Sequence, residues 1–349
     1  SFWGATGLCR RYPLLYPKKA YVAMATVTRV LDRVTLLREV PTGSNSVYAL
    51  EFARADGQTV YAVWTGRGSA ELTVSFRRGA DVNIVDLYGR SRAASTFLRK
   101  LKLTAGTAVQ YVMTSGRIGR IRCGDRTYPE DQPSGDLRIV NAMDAVADWE
   151  LSTAEDSLLE AVSNPHLPFR TAGDYVLREA RDREKGRCLE LELRSRTDVP
   201  TPLLSEYAVL RLKDPVTLAG EPTTLGVWVK GNSGWGQIYW EITDAAGVRR
   251  ISCGTTQHDA DVFDYDGRVA VNFDGWAFLS FPITAASSIP DLSTGCVANL
   301  WESSDRSKPV TYPITLTGVA VSLPQQALHL TEMIPIKQLL RFRDLSAGE

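Results

Sequence analysis

The chain has 349 residues, a length that predicts two or three domains, each large enough to bury its own core. Apolar residues make up 44% of it, and no apolar run approaches the ~18 residues that cross a bilayer, so we expect no membrane partner. The net charge is zero, but residues 1–128 carry 20 Lys and Arg against 8 Asp and Glu, whereas residues 129–349 carry 20 against 32.

The basic half lacks any known nucleic-acid motif, so we expect no nucleic-acid partner. The opposite charges of the two halves favour docking between neighbouring domains. The five cysteines are widely spaced without a CxxC pair, which excludes a zinc cluster, and three scattered histidines exclude a His-based metal site.

Residues 1–34 are predicted to form a short apolar strand, a loop and a helix. Pro17 suits a first helical position. Apolar residues then recur at helical spacing, at Ala20, Ala23, Met24, Val27, Val30, Leu31 and Val34. This apolar face needs a packing partner.

Apolar residues recur with a period of 2 from residue 35 to residue 128, in place of the period of 3.6 in the preceding helix. This pattern predicts a small antiparallel β-sandwich. The predicted strands are 47–52, 59–64, 72–76, 82–87, 101–103 and 108–113. Turns rich in Gly, Asp and Arg separate them.

Residues 1–118 resemble the C-terminal end of an eightfold-barrel glycoside hydrolase of the clan A type. The resemblance rests on YPKKAYVAMATVTRVLDRV, SVYALEFARADGQTVYAVWT, VNIVDLYGR and LKLTAGTAVQYVMTSG. It implies that residues 1–34 are the last strand and helix of a truncated barrel, and that residues 35–128 are the sandwich packed against that barrel.

Residues 129–136 are predicted to form a polar, Pro-containing linker before a second β domain at 137–336. Its predicted strands are 137–141, 188–194, 206–212, 225–230, 237–243, 248–252, 276–282 and 314–322. Residues 337–349 are predicted to form a C-terminal tail, and residues 336–345 a short helical end.

The segment 225–283 carries the most information about this second domain. It contains LGVWVKGNSGWGQIYWEITDAAG, two alternating strands around a Gly-rich loop, and aromatic residues occur throughout. It resembles the carbohydrate-binding-module jelly rolls attached to secreted polysaccharide-degrading enzymes. The predicted fold class is therefore mostly β, an antiparallel sandwich plus a jelly roll, after the remnant barrel strand and helix.

The resemblance implies that this chain lacks the catalytic pair of its parent. Retaining glycosidases need two carboxylates about 5 Å apart, and in the clan both lie on earlier barrel strands. The first acidic residue here is Asp32. No G-x-S-x-G turn or phosphate-binding loop is present. We expect a non-catalytic ancillary portion of a glycoside hydrolase, secreted or periplasmic, that binds glycan and braces the catalytic barrel. Its expected partners are a polysaccharide or oligosaccharide and an N-terminal catalytic barrel, in the same protein or in a separate chain.

Sugar recognition needs flat aromatic platforms beside polar groups. Alternation predicts one sheet face with an aromatic and charged surface, and the neighbouring loops add further aromatic rings. The predicted carbohydrate-binding residues are Arg211, Trp228, Trp235, Tyr239, Glu241, Tyr265 and Trp301.

Three alternatives stay open at the level of sequence. A structural calcium ion is one, with oxygen ligands in the acidic loop 259–266 or at Asp144 or Asp148, although the spacing is not that of an EF-hand. A second is that both β domains are purely structural and lack a sugar site. The third is a split or cleaved hydrolase, active only with its barrel partner and held to it by the apolar face of helix 17–34.

Overall fold

The computed structural model describes residues 8–10, 16–78, 81–129, 131–133, 135–161, 170–195, 205–252, 270–283, 288–290, 297–299, 301–303, 308–329, 332–335 and 337–348. The chain divides into two compact units, Ser1–Glu130 and Asp131–Glu349. Both consist mainly of antiparallel sheets, which confirms the predicted mostly β fold class. Among the described residues, no helix has the length and apolar composition that crossing a membrane requires.

In the described part of the first unit there are one helix and eleven strands. These are β1 (Cys9–Arg10), β2 (Tyr16–Pro17), α1 (Lys19–Val30), β3 (Thr35–Glu39), β4 (Val47–Ala53), β5 (Thr59–Thr65), β6 (Ser69–Phe76), β7 (Val82–Val85), β8 (Ser91–Ala94), β9 (Lys100–Gly106), β10 (Gln110–Thr114) and β11 (Ile118–Thr127).

A six-stranded sheet, in the order β3-β4-β5-β10-β7-β8, packs on a three-stranded sheet, β11-β6-β9. The sequence of β5 is an almost continuous apolar run because the strand is buried on both faces. Tyr61 and Val63 face the core between the sheets, while Val60 and Ala62 face the opposite side. A strand buried on both faces gains from apolar residues at every position.

Helix α1 covers the second face of the six-stranded sheet. Val30 is buried there against Val60 and Ala62, and Val27 and Leu31 pack around it. The predicted apolar helix thus has a partner within its own unit. Its other side exposes Tyr21, Val22 and Met24. The strand predicted at the start of the chain lies outside the described residues, apart from its last residue.

The described residues of the second unit form seventeen strands and two short helices. These are β12 (Leu137–Asn141), a 3-10 helix (Val146–Asp148), β13 (Trp149–Ser152), α2 (Ser157–Ala161), β14 (Arg170–Ala172), β15 (Tyr175–Asp182), β16 (Gly186–Leu193), β17 (Ser205–Thr217), β18 (Thr224–Asn232), β19 (Gln237–Thr243), β20 (Arg249–Ser252), β21 (Asp274–Pro282), β22 (Ser288–Pro290), β23 (Val297–Asn299), β24 (Trp301–Glu302), β25 (Thr315–Pro324), β26 (Gln326–His329), β27 (Glu332–Pro335) and β28 (Leu339–Gly348).

Two sheets form the sandwich of this unit. The first has the order β15-β16-β28-β18-β21, with β12 also paired with β28. The second has the order β13-β17-β25-β19-β20-β24, with β14 paired in parallel with β17. Aromatic rings join the two inner faces: Phe281 lies 6.2 Å from Trp240 and 5.6 Å from Trp301, between ring centroids. This arrangement is the predicted jelly-roll type of β-sandwich.

The predicted helical end of the chain is wrong. Residues 339–348 form β28, which lies inside the first sheet and pairs with both β16 and β18. Leu340 and Phe342 are fully buried, while Arg341 faces outward and bonds to Glu190 of the adjacent β16 and to Asp182 of β15, the next strand of the sheet. Period-two alternation with arginines on the outer face explains the strand. The predicted domain at 137–336 therefore leaves out a central strand.

Candidate functional site

The predicted binding residues do not share one sheet face. Trp228 lies on β18 of the first sheet, whereas Arg211 on β17 and Tyr239 and Glu241 on β19 belong to the second sheet. The alternation within each strand was predicted correctly, but the assignment of these strands to one sheet was wrong. Pairing between distant strands decides sheet membership, and a single sequence does not reveal it.

Two neighbouring side chains contact the Trp228 ring. The Lys185 ammonium lies 3.4 Å from the centre of its ring, and Phe278 meets it at 5.5 Å in an edge-to-face contact. Gly226 makes room for that phenyl ring, since a Cβ atom there would lie 2.2 Å from Phe278 Cζ. Trp228 thus packs within its own sheet surface instead of standing as a free platform.

Tyr239 and Trp301 are buried, contrary to the expectation that they are exposed for a ligand. Tyr239 packs with Tyr207 and Val209, and Leu159 of α2 lies in the same cluster. Its hydroxyl bonds to Gln237 Oε1. The Trp301 indole donates to the Pro282 carbonyl at 3.1 Å. Helix α2 covers the sheet face that the sequence pattern suggested was open.

Arg211 and Glu241 bind each other within a network of four charged side chains. Arg211 Nε lies 3.2 Å from Glu241 Oε1, and Arg211 NH2 lies 3.2 Å from Asp156 Oδ2. Arg249 joins the same two carboxylates, at 2.5 Å from Glu241 and 2.6 Å from Asp156. The network ties the segment before α2 to the sheet, because Asp156 also accepts bonds from the α2 backbone at Leu158 and Leu159.

The electrostatics of Asp156 do not suit general acid catalysis. Burial opposes ionisation of Asp156, but the hydrogen bonds and charge of Arg249 outweigh it and hold its pKa below the usual value. A glycosidase acid needs a raised pKa. Asp156 is held as an anion, so the network has the chemistry of a structural clamp.

Trp235 is the predicted residue that the structure presents to solvent. Trp235 is 48% exposed, whereas the other described tryptophans are buried or half-buried. It lies between β18 and β19, in a segment of residues 231–236 that we call the Trp235 loop. Both Ser233 and Trp235 have a φ of +58°, the left-handed region that residues other than glycine rarely adopt. Such strain persists only where surrounding contacts impose it.

Backbone hydrogen bonds hold the Trp235 loop against residues 271–273. The Ser233 N–H donates to the Phe273 carbonyl at 2.7 Å, and the Trp235 N–H donates to the Val271 carbonyl at 3.0 Å. The Val271 N–H in turn donates to the Gly236 carbonyl at 2.7 Å. These bonds fix the loop on one side.

The buried side chain of Gln338 holds the loop from the other side. Its Nε2 donates to the carbonyls of Gly234 and Pro324, at 3.2 and 2.9 Å, and its Oε1 accepts from Asn232 at 2.9 Å. A Cβ atom at position 234 would lie 2.4 Å from Gln338 Oε1, so a larger residue there would displace the Gln338 amide. Trp235 is therefore displayed on a preorganised loop, which reduces the entropy lost when a ligand binds.

Polar groups adjoin the loop, through residues that the sequence interpretation did not select. Asn232 donates to the backbone carbonyl of Lys337 at 3.0 Å, and the Lys337 ammonium lies 3.0 Å from Glu192. Hydrogen bonds from Lys337 and Arg178 hold the pKa of Glu192 below its usual value. The position of Asn232 in a Gly-rich loop could have marked it as a site residue. Lys337 could not be selected in this way, because it lies in the segment predicted to be the C-terminal tail.

The calcium candidates divide between described and undescribed residues. Asp144 lies 3.1 Å from Arg187 and 3.3 Å from Arg343, so two cations already occupy the position that a calcium ion would need. Asp148 accepts a hydrogen bond from Asn141. The described residues contain no group of three or more His, Cys, Asp or Glu suited to a metal ion. The acidic loop 259–266, with the predicted site residue Tyr265, lies outside the described residues.

No protein-family model matches the chain, and no curated protein matches it. Among solved structures it is similar to the family 11 carbohydrate-binding module of the cellulosomal cellulase Lic26A-Cel5E of Clostridium thermocellum, with a TM-score of 0.34 and 8% identity over 62% of this chain and 96% of that one. A family 11 carbohydrate-binding module from Clostridium thermocellum in complex with a β-1,3-1,4-mixed-linked tetrasaccharide gives a TM-score of 0.34 and 8% identity, over 62% of this chain and 97% of that one.

A further solved structure, described for the promiscuous specificity of carbohydrate-binding modules from the β-sandwich superfamily, gives a TM-score of 0.30 at 12% identity. It covers 90% of this chain and 96% of that one. The function of the present chain has to be inferred from its own residues.

Proposed function

We propose that residues 131–349 form a carbohydrate-binding module and that the Trp235 loop is its glycan site. The observation that carries this proposal is the exposed Trp235 ring on a loop fixed from both sides. An indole face stacks on the C–H face of a sugar ring, while the Lys337 ammonium and the Glu192 carboxylate supply donors and acceptors for hydroxyl groups. Tyr265 stays a proposed second platform.

We further propose that this module belongs to a polysaccharide-degrading glycoside hydrolase whose catalytic barrel lies outside this chain. The first unit would then brace that barrel, and the parent enzyme would be secreted. The exposed Tyr21, Val22 and Met24 of α1 supply an apolar surface for such a contact. A split hydrolase, active only when the barrel joins this chain, would use the same surface.

A purely structural role is the second candidate. It is favoured by the burial of Tyr239 and Trp301 and by the contact of Lys185 with the ring of the half-buried Trp228. The two candidates differ in one respect. Only a sugar-binding module needs Trp235.

Affinity gel electrophoresis of the whole chain against a panel of soluble polysaccharides tests the proposal. Trp235→Asn removes the ring but suits the left-handed backbone, so the variant is expected to fold while its affinity falls about fivefold, equivalent to about 1 kcal/mol. Trp235→Phe keeps a flat ring and should retain most of the binding. Retardation that Trp235→Asn leaves unchanged would remove the site, and no retardation of the wild type by any glycan would favour the structural role.

A further inference from the structure

A tight turn in the first unit displays two large apolar side chains to solvent. Phe97 and Leu98 are 79% and 75% exposed, the highest values among the exposed large hydrophobic residues described. Phe97 and Lys100 exchange two backbone hydrogen bonds of 2.9 Å, which closes a two-residue turn at Leu98 and Arg99. We call residues 97–100 the Phe97 tip.

The geometry of this turn conflicts with its sequence. Leu98 and Arg99 have φ values of +49° and +60°, which is the pattern of a type I′ turn. Asn and Gly favour these positions, whereas a leucine there is strained. An apolar residue in a strained and exposed position does not contribute to the stability of the fold. It points to a role in binding.

Six cations lie within the Phe97 tip or on the strand ends and turns next to it. The Arg99 carbonyl accepts from the Phe76 N–H at 2.9 Å, the Arg117 carbonyl accepts from the Arg77 N–H at 3.0 Å, and Arg120 and Lys100 flank Ser75 in one row of the sheet. The basic group, all exposed, comprises Arg77, Arg78, Arg99, Lys100, Arg117 and Arg120.

Among the described residues, these six cations have no carboxylate partner, unlike several other arginines of the unit. Arg38, Arg54 and Arg90 pair with Glu51, Asp56 and Asp86. Within the described part of the chain, none of the six forms an ion pair. Unpaired like charges on one surface repel each other, and an anionic surface would relieve that repulsion.

We propose that the Phe97 tip docks the first unit on the surface of an anionic lipid bilayer. Phe97 and Leu98 would enter the boundary between headgroups and acyl chains, and the basic group would lie at the headgroup phosphates. A soluble polyanion would satisfy the cations but leave both apolar side chains in water. This surface contact differs from a membrane-spanning segment, whose absence led us to expect no membrane partner.

Co-sedimentation of the full chain with vesicles tests this proposal. The chain should sediment with phosphatidylcholine vesicles that contain about 30% phosphatidylserine, but not with phosphatidylcholine alone, and added salt should weaken the binding. The double variant Phe97→Ser, Leu98→Asn removes the apolar surface and places a residue that tolerates φ > 0 in the turn. It should melt no lower than the wild type, while its partition coefficient falls about tenfold or more.

Two further variants separate insertion from bulk charge. Arg78→Gln with Arg117→Gln should lower the partition about fivefold for each charge removed. Tyr88→Ser removes an exposed aromatic ring from another turn of the same unit, and should leave the partition unchanged. Full binding by the Phe97/Leu98 double variant would overturn the proposal. So would capture by soluble polyglutamate without any vesicle binding, since that result would indicate an acidic protein as the partner.

Discussion

Gln338 offers the sharpest test of how the Trp235 loop is held. The side chain is 2% exposed and makes three hydrogen bonds, to Gly234, Pro324 and Asn232. Gln338→Met keeps the length and volume of the side chain but removes all three bonds. The substitution leaves the carbonyls of Gly234 and Pro324 without this donor.

The expected loss follows from the number of bonds. A buried hydrogen bond contributes about 1 kcal/mol net, so three of them give about 3 kcal/mol, partly offset by the apolar character of methionine. We therefore expect the unfolding free energy to fall by about 2–3 kcal/mol. For a unit of this size, that loss corresponds to about 5–10 °C in the melting temperature. The Trp235 loop should also lose order and glycan affinity together.

Differential scanning calorimetry and affinity electrophoresis measure the two effects. The matched control is Gln110→Met in the first unit, where a half-buried glutamine makes one bond, to the Thr104 carbonyl at 2.7 Å. It should change the melting temperature by less than about 3 °C. A Gln338→Met protein that melts within about 2 °C of the wild type and binds equally well would refute the inference that Gln338 fixes the loop.

Two further predictions concern the rest of the second unit. Tyr239→Ala should lower the unfolding free energy in urea titrations by about 3–5 kcal/mol, because it leaves a cavity beneath α2. The affinity of the folded protein for glycan should stay unchanged. A loss of affinity without a loss of stability would instead place Tyr239 in the site. Asp182 gives a pH dependence: burial opposes its ionisation, but Lys230 and the Trp276 indole bond to it and lower its pKa. A carboxyl whose pKa is lower in the folded than in the unfolded state stabilises the fold above the unfolded value, and this contribution is lost as the pH falls through the folded pKa. Urea midpoints should therefore decline below about pH 4 in the wild type, and less steeply in Asp182→Asn; parallel declines would contradict this assignment.

The missed elements share a cause. Strand β11 buries Ile118 and Ile121 but carries Arg120 and Arg122 on its outer side, so its hydrophobic signal was weak. Strand β28 likewise carries arginines between its buried apolar residues. In both strands the charged residues find solvent or carboxylate partners on the outer face of a sheet. Such partners come from distant strands, so the local sequence gave no sign of them.

In the candidate site, too, local alternation was predicted correctly while contacts between distant segments were not. Alternation correctly predicted that Tyr207, Arg211, Tyr239 and Glu241 point away from the core between the sheets. It did not predict that α2 covers that face through Leu159, or that Asp156 clamps it through two arginines. Trp235 was selected as an exposed loop residue, and the structure supplied the reason for its fixed position.

The sequence by itself determined the mostly β fold, the inward face of most strands and the location of the Trp235 loop. These properties depend on local periodicity and turn residues, which act between near neighbours in the chain. Tertiary structure decided which strands share a sheet, which outer faces are covered, and that Gln338 stands against Asn232 and Gly234, about a hundred residues away. Long-range pairing and burial set these features, because backbone and side-chain partners are chosen only when the sheets assemble.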